Sequence, residues 1–569
     1  MADVKYPLYE TTVFEDFRIM TENAAKKFPD RVAISFKRNP NDKQTVNVTY
    51  TQARDYIRNM GTELISMGCR DKHVALIGES SFEWICSYFS LMAIGAVVVP
   101  VDKDLPEEEI AGILDTAECE FVIYSPVVES KIETLKGKVP GLKTFICMGE
   151  AKMDGALELS DIEAKGGERF KNGDNSYYDY EIDRERLATI VFTSGTTGKG
   201  KGVMLSQKSI VSDMTQGMYL FKITPKTMNV LPPHHTYGST VNFVGHYAQG
   251  SSIYISSGLK HIVNEMKEQK PSHLILVPLF IETMYKKIWS QAEKAGKAKM
   301  LRFLMKLSDF LRKFGIDLRR IFFKSVLDFF GGKLEMIISG GASLNQDIID
   351  FFDSIGITIL NGYGITECSP LISCNRNEYQ KKGSVGVPII GEKVKIKDPD
   401  ENGEGEICVK GPNVMLGYYK NPEATAAAFD EEGYFMTGDY GKLDEDGWLY
   451  ITGRLKNLIV LSNGKNVYPE EIENEISRIY GVSECVVYAG ESKKQRNKEV
   501  IVAEIFPDFD VLSARGIKDV RSYFESEIKK INNRMVSYKA VKMVKIRNEE
   551  FKKNTSKKIL RFAIDKNID

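Results

Sequence analysis

Short apolar runs of strand length alternate with longer runs of helical periodicity from Phe14 to Leu360, and this alternation restricts the chain to an α/β architecture. Phe14, Phe17, Ala24 and Phe28 fall on one helical face, and Pro29-Asp30 ends that helix. Val32 to Phe36, Val74 to Gly78, Ala96 to Val101 and Glu120 to Tyr124 read as strands, with helices over Ser80 to Ile94 and Glu107 to Ala117. Ser272 to Pro278, Glu335 to Ser339 and Thr358 to Leu360 add further buried strands, so mixed sheets are expected. The segment Trp84 to Val101 carries no charge and approaches membrane-spanning length. Gly95 and Pro100 interrupt it and Val97-Val98-Val99 is β-branched, so it reads as a helix followed by a buried strand.

At 569 residues the chain exceeds what one core holds. A formal net charge of −1 leaves no global field to draw it onto nucleic acid, so no nucleic-acid partner is expected. The eight cysteines include no C-x-x-C pair, which argues against a disulfide framework and against a zinc site. The opening MADVKYPLYE has no apolar signal-peptide core, and a cytoplasmic location is expected. From Gly441 the composition changes. Asp444-Glu445-Asp446-Gly447 reads as the turn of a hairpin, and Gly453-Arg454-Leu455-Lys456 as a boundary. Strands near Cys485 to Ala489, Val500 to Ile505 and Val541 to Ile546 suffice for a small α/β domain over 457–569.

The run Thr193-Ser194-Gly195-Thr196-Thr197-Gly198-Lys199-Gly200-Lys201-Gly202 joins two apolar segments and reads as strand–loop–strand. Its glycines let backbone N–H groups converge on an anion, its hydroxyls add donors and its lysines add charge, which makes a cradle for a polyphosphate. The spacing nearly matches a Walker A loop, but Gly202 stands where Ser or Thr should hold magnesium and no helix follows. Ser339-Gly340-Gly341-Ala342 offers small residues after a strand, against which a flat group can lie. Asn361-Gly362-Tyr363-Gly364-Ile365-Thr366-Glu367 combines a stacking face, a hydroxyl for phosphate and a hard oxygen ligand for magnesium. Asp439, read with Gly453-Arg454, can accept from two vicinal ribose hydroxyls. A basic run closes the chain at Phe551 to Arg561.

With TSGTTGKGKG (193–202), LPPHHTYG (231–238), NGYGITE (361–367), TGD (437–439), GRLK (453–456) and NTSKKILR (554–561) in that order, the chain resembles the adenylate-forming superfamily of acyl-CoA synthetases, firefly luciferases and peptide-synthetase adenylation domains. The resemblance covers nearly the whole chain. It implies a large N-terminal ATP- and acyl-binding domain over 1–453, a hinge at 454–456 with Lys456 in it, and a mobile C-terminal domain over 457–569. It also implies that Thr193, Ser194, Gly195, Thr196, Thr197, Gly198 and Lys199 hold the triphosphate. Gly341, Ala342, Asn361 and Gly362 would surround adenine, with Tyr363 stacked on it. Thr366 would touch the α-phosphate, Glu367 the magnesium ion, and Asp439 and Arg454 the ribose. Lys558 matches the lysine that bridges substrate carboxylate and α-phosphate. The family usually has Gly before it, where this chain has Lys557. Gly464, in Ser462-Asn463-Gly464-Lys465, resembles part of a coenzyme A surface.

His235 matches the family position beside the acyl pocket. No acid lies between His234 and Val241, where an amino-acid-activating member would meet a substrate ammonium. LSNGKNVYPEEIE (461–473) and a basic segment at 291–330 look most like long-chain fatty acyl-CoA synthetases. The implied substrates are a long-chain fatty acid, ATP with Mg2+, and coenzyme A. The alternatives are a medium-chain or aryl acid, or an acyl carrier protein as acceptor. In the basic segment Leu304, Leu307, Leu311 and Phe314 form a stripe, with Lys306, Arg312, Lys313, Arg319, Arg320 and Lys324 between them. Two readings stay open: a helix packed on its own domain, or a peripheral contact with the inner membrane surface.

Overall fold

The computed structural model describes residues 6–193, 200–223, 225–461, 465–491, 500–553 and 559–568. By contacts the chain parts into two compact units. The first comprises Met1–Lys393 and Val409–Phe435, the second Val394–Cys408 and Met436–Asp569. The architecture is mixed α/β, as the alternation predicts.

The first unit holds two large sheets. In one, the parallel strands Val32–Phe36, Lys226–Asn229, Ser252–Ile255, His273–Leu276, Met336–Ser339 and Thr358–Gly364 form the body, with antiparallel strands at the edges. In the other, the strands His73–Ile77, Val97–Val101, Phe121–Tyr124 and Thr144–Cys147 run parallel, and the antiparallel pair Leu187–Thr193 and Lys201–Ser206 extends them. Parallel strands are buried on both faces, so they are runs of Val, Ile and Leu. Val74, Ala75, Leu76 and Ile77 are all fully buried.

The uncharged segment divides as predicted. Ser81 caps a helix over Phe82–Ala93, Gly95 turns the chain at φ +79°, and Val97–Val101 enters the second sheet. A side chain at 95 would need left-handed backbone and would meet the Tyr180 ring at 2.9 Å. No described helix is long and apolar enough to cross a membrane.

The second unit contains the hairpin Phe435–Leu443/Leu449–Arg454, the short pair Ile459–Val460/Asn466–Val467, and a sheet of Val482–Gly490, Val500–Pro507 and Met543–Ile546. Its core gathers Val467, Ile472, Ile476, Val487, Ile505, Leu512 and Phe524 against the helix Val520–Asn532. All eight cysteines are free thiols.

Candidate active site

The strand pair Leu187–Thr193 and Lys201–Ser206 sets Thr193 opposite Lys201, so both ends of the phosphate-type loop are anchored in one ladder. Six proposed ligands, Ser194, Gly195, Thr196, Thr197, Gly198 and Lys199, lie outside the described residues. At Gly200 a Cβ would fall 2.8 Å from the Thr193 carbonyl oxygen, so only glycine lets the loop close this tightly.

The short strand Gly417–Tyr418 pairs with the far side of Lys201–Ser206. It places the Tyr418 ring under Lys201, whose Nζ stands 4.6 Å from the ring centroid. The Tyr418 hydroxyl donates to Glu367 Oε1 at 3.0 Å. Burial and the Glu367 carboxylate together push the Tyr418 phenol well above its ordinary range, so the hydroxyl stays a donor. A lysine, a tyrosine and a glutamate are thereby linked from the loop's end to the proposed magnesium ligand.

Met336–Ser339 and Thr358–Gly364 run parallel with Ser339 opposite Asn361. Both strands finish at the same end of the sheet. Gly341 and Ala342 therefore follow one strand end, while Asn361, Gly362 and Tyr363 line its neighbour. Gly341 sits at φ +87°, where a side chain would be strained. Thr366 and Glu367 come next in a single 3₁₀ turn over Thr366–Cys368. Gly364 permits that path, since a Cβ there would lie 2.1 Å from the Pro370 carbonyl oxygen.

Beneath this turn lies a buried polar brace. Asn413 Nδ2 donates to the carbonyls of Cys368 at 3.1 Å and Leu371 at 2.9 Å, and Asp213 Oδ1 accepts from the Leu371 N–H at 2.9 Å. Burial pushes the neighbouring Glu392 carboxyl up to about 8 and holds Asp213 well above the usual carboxylate range.

His235 precedes the wide helical segment Tyr237–Val244, in which the Gly245 N–H reaches back to the Thr240 carbonyl, a π-type bond. The His235 ring packs on His234 with centroids 4.3 Å apart, and His234 Nε2 lies 3.4 Å from Asp102 Oδ2. Burial lowers the His234 pKa, against the opposing pull of Asp102. Tyr237 joins this segment to the strand ends. Its hydroxyl donates to the Ile338 carbonyl at 3.1 Å, and its ring lies 3.0 Å from where a Cβ on Gly340 would stand.

In the second unit Asp439 and Arg454 face each other in the hairpin register, with Arg454 Nε 2.8 Å from Asp439 Oδ1. The Asp439 side chain is only 3% exposed, so the guanidinium fixes a carboxylate that water hardly reaches. Lys456 lies in the adjoining 3₁₀ turn Leu455–Asn457. Gly464 and Lys558, with Lys557, lie outside the described residues. The described residues before and after Lys557 and Lys558 are fastened to the second unit. Lys553 and Ile559 form an antiparallel bridge, and Lys553 pairs with Glu484. Arg561 grips Glu473 at 2.7 and 2.5 Å.

The profile of the AMP-binding enzymes matches residues 21–419. The chain belongs to the AMP-binding enzyme family. Long-chain-fatty-acid--CoA ligase 5 of Rattus norvegicus is 30% identical over 518 residues, which span 84% of this chain and 74% of that protein. Long-chain-fatty-acid--CoA ligase 1 of Homo sapiens is 29% identical over 500 residues, spanning 82% and 70%. The crystal structure of ATP-bound MatB from Rhodopseudomonas palustris has the same fold, with a TM-score of 0.74 at 24% identity over 97% of this chain and 98% of that one.

For an AMP-binding enzyme the donor set suits magnesium. Mg2+ prefers one or two carboxylates completed by substrate phosphates to a closed protein cage. Glu367 offers such a carboxylate, and no cluster of three metal-ligating acids, histidines or cysteines exists among the described residues. Tyr418 and Tyr237 carry contacts that the sequence assigns to no role. The only local signal for Tyr418 is a Gly-Tyr-Tyr triplet after an apolar run, and its partner stands 51 residues away.

Proposed function

We propose that this AMP-binding enzyme activates a long-chain fatty acid with ATP and passes it to coenzyme A. The substrate carboxylate oxygen forms a bond to the α-phosphorus as the bond to the pyrophosphate oxygen breaks. The thiol sulfur then forms a bond to the acyl carbon as the carbon–oxygen bond to AMP breaks. The observation that carries this reading is the agreement between the curated relatives, matched over most of the chain, and the site in the first unit. There the phosphate-loop anchor, Tyr418 and Glu367 form one connected set beside the strand ends bearing Gly341, Asn361 and Tyr363.

In this reading Glu367 holds magnesium, which supplies positive charge at the phosphates. Thr193 and the loop after it bind the triphosphate, Tyr363 stacks on adenine, and Thr366 donates to the α-phosphate. Asp439 accepts from the ribose hydroxyls and Arg454 holds its carboxylate in place. Lys558 neutralises the two anions that must meet in the first step, because two like charges cannot approach unscreened. His235 lies beside the acyl group. The 454–456 segment acts as a hinge about which residues 457–569 turn, removing Lys558 and presenting Gly464 to coenzyme A. We place the protein in the cytoplasm, at the membrane surface from which its apolar substrate comes.

A pyrophosphate-release assay across carboxylic acids, with and without coenzyme A and with the product weighed by mass spectrometry, tests the reading. Turnover peaking on long-chain acids with an acyl-CoA product is expected. Pyrophosphate release without free thioester would move the acceptor to a carrier protein. No release with any acid would end the proposal.

A further inference from the structure

The basic segment 297–324 presents a second apolar stripe, and it points away from the core. In the helix Ala298–Arg312, Leu301, Leu304 and Met305 pack on the first unit's hydrophobic core. Phe303 (64% exposed), Phe310 (54%) and Phe314 (67%) lie on the opposite side with Met300 (52%) at their flank, and Ile316 (47%) and Ile321 (70%) continue the apolar surface beyond the helix end. Of the stripe that the spacing predicts, Leu304, Leu307 and Leu311 are half-buried, whereas Phe314 is exposed and belongs to the outward stripe.

Charge runs beside it in a row. Lys299, Lys306 and Lys313 recur every seven residues, two helical turns apart, and so stack in one line. At about 100° per residue this line lies within roughly 80° of the phenylalanine stripe. All three lysines are exposed, and none forms a salt bridge among the described residues. The arginines are used differently. Arg312 and Arg319 both clamp Asp353, at 2.7 and 3.0 Å, and fasten the segment to the helix Gln346–Ser354. Residues 297–324 hold nine Lys or Arg against two Asp, in a chain whose net charge is −1.

We propose that this face is a docking surface for an anionic lipid bilayer, with Phe303, Phe310 and Phe314 entering the interfacial layer and the lysine row meeting lipid phosphates. Large aromatic and aliphatic side chains flanked by lysines on a helix anchored from behind have the amphipathic build of an interfacial element. The same charge disfavours a second copy as the occupant, because two such faces would meet with like sign. The membrane's role as the source of substrate rests on the proposed long-chain activity, whereas the docking itself rests on the surface alone.

Sedimentation of the full chain with vesicles tests this. Vesicles of equal parts phosphatidylcholine and phosphatidylglycerol should carry the protein down, phosphatidylcholine alone should do so poorly, and added salt should release it. The double variant Phe303→Ser/Phe310→Ser should lose at least tenfold in partitioning, and so should Lys299→Glu/Lys306→Glu/Lys313→Glu. Both should keep the wild-type circular-dichroism spectrum and unfolding midpoint in lipid-free buffer, which shows that they fold. Equal binding by wild type and variants, or no binding by wild type, would overturn the proposal. So would a wild-type dimer in analytical ultracentrifugation that the Phe303→Ser/Phe310→Ser variant abolishes, since that assigns the face to a second copy. Vesicle binding without acid-dependent pyrophosphate release would support docking and count against the ligase reading.

Discussion

Glu367 is half-buried and receives a hydrogen bond from Tyr418, and this pairing defines what each residue should do. In the proposed role, Glu367→Gln removes the carboxylate charge that holds magnesium. Pyrophosphate release should fall by about 10²-fold or more, the scale of losing a direct charge-stabilising contact. Tyr418→Phe keeps the ligand and frees its orientation. It should cost about tenfold, and most of that should be recovered by raising magnesium, since positioning partners of ligands typically alter metal affinity by roughly 10- to 100-fold. Titrating magnesium in both variants separates the roles, and an identical, magnesium-insensitive loss in the two would remove Tyr418 from the positioning role.

At the scale of elements, the hairpin Phe435–Leu443/Leu449–Arg454 delivers Asp439 and Arg454 as direct partners, and the chain then enters the 3₁₀ turn with Lys456. A turn directly after this ion pair transmits any change in backbone direction to the chain beyond residue 457. Lys456→Pro fixes φ near about −65° and removes a donor, which stiffens the turn. Adenylation, read by pyrophosphate release, should stay within about threefold of wild type, because its groups need no rotation about a hinge. Thioester formation from supplied acyl-AMP should drop by an order of magnitude or more. Unchanged thioester formation would take Lys456 out of the hinge role.

For the whole molecule, the two chemical steps should be separable. Lys558→Ala should reduce adenylation by orders of magnitude and leave thioester formation from acyl-AMP nearly intact, since only the first step brings two anions together. Equal loss in both steps would contradict the assignment. Stability should depend on pH through the brace beneath the Thr366–Cys368 turn. Glu392 titrates at about 8 in the folded chain and near about 4.3 when unfolded, so the folded form keeps a proton that the unfolded form releases. That contribution is complete below about pH 4 and is lost as pH rises through about 8. The unfolding midpoint in denaturant should fall between about pH 5 and 9, with a slope from this group of up to about 1.4 kcal/mol per pH unit. Glu392→Gln, which mimics the protonated form, should flatten that slope, and an unaltered slope would show that other groups carry it.

The alternation of apolar runs by itself determined the α/β class, and the ordered motifs by themselves determined the family, because both are encoded by neighbours along the chain. Periodicity also determined that Trp84 to Val101 is a helix and a strand. Only the tertiary structure decided that Tyr418 meets Glu367, that Asp213 and Asn413 brace Leu371, and that Tyr237 spans two strand ends. Each of these contacts joins residues far apart in sequence, and no local pattern carries that pairing. The basic helix shows the same division. Its sequence carries apolar residues on more than one face, and the packing of the neighbouring elements decides that Leu301, Leu304 and Met305 turn inward while Phe303, Phe310 and Phe314 face outward.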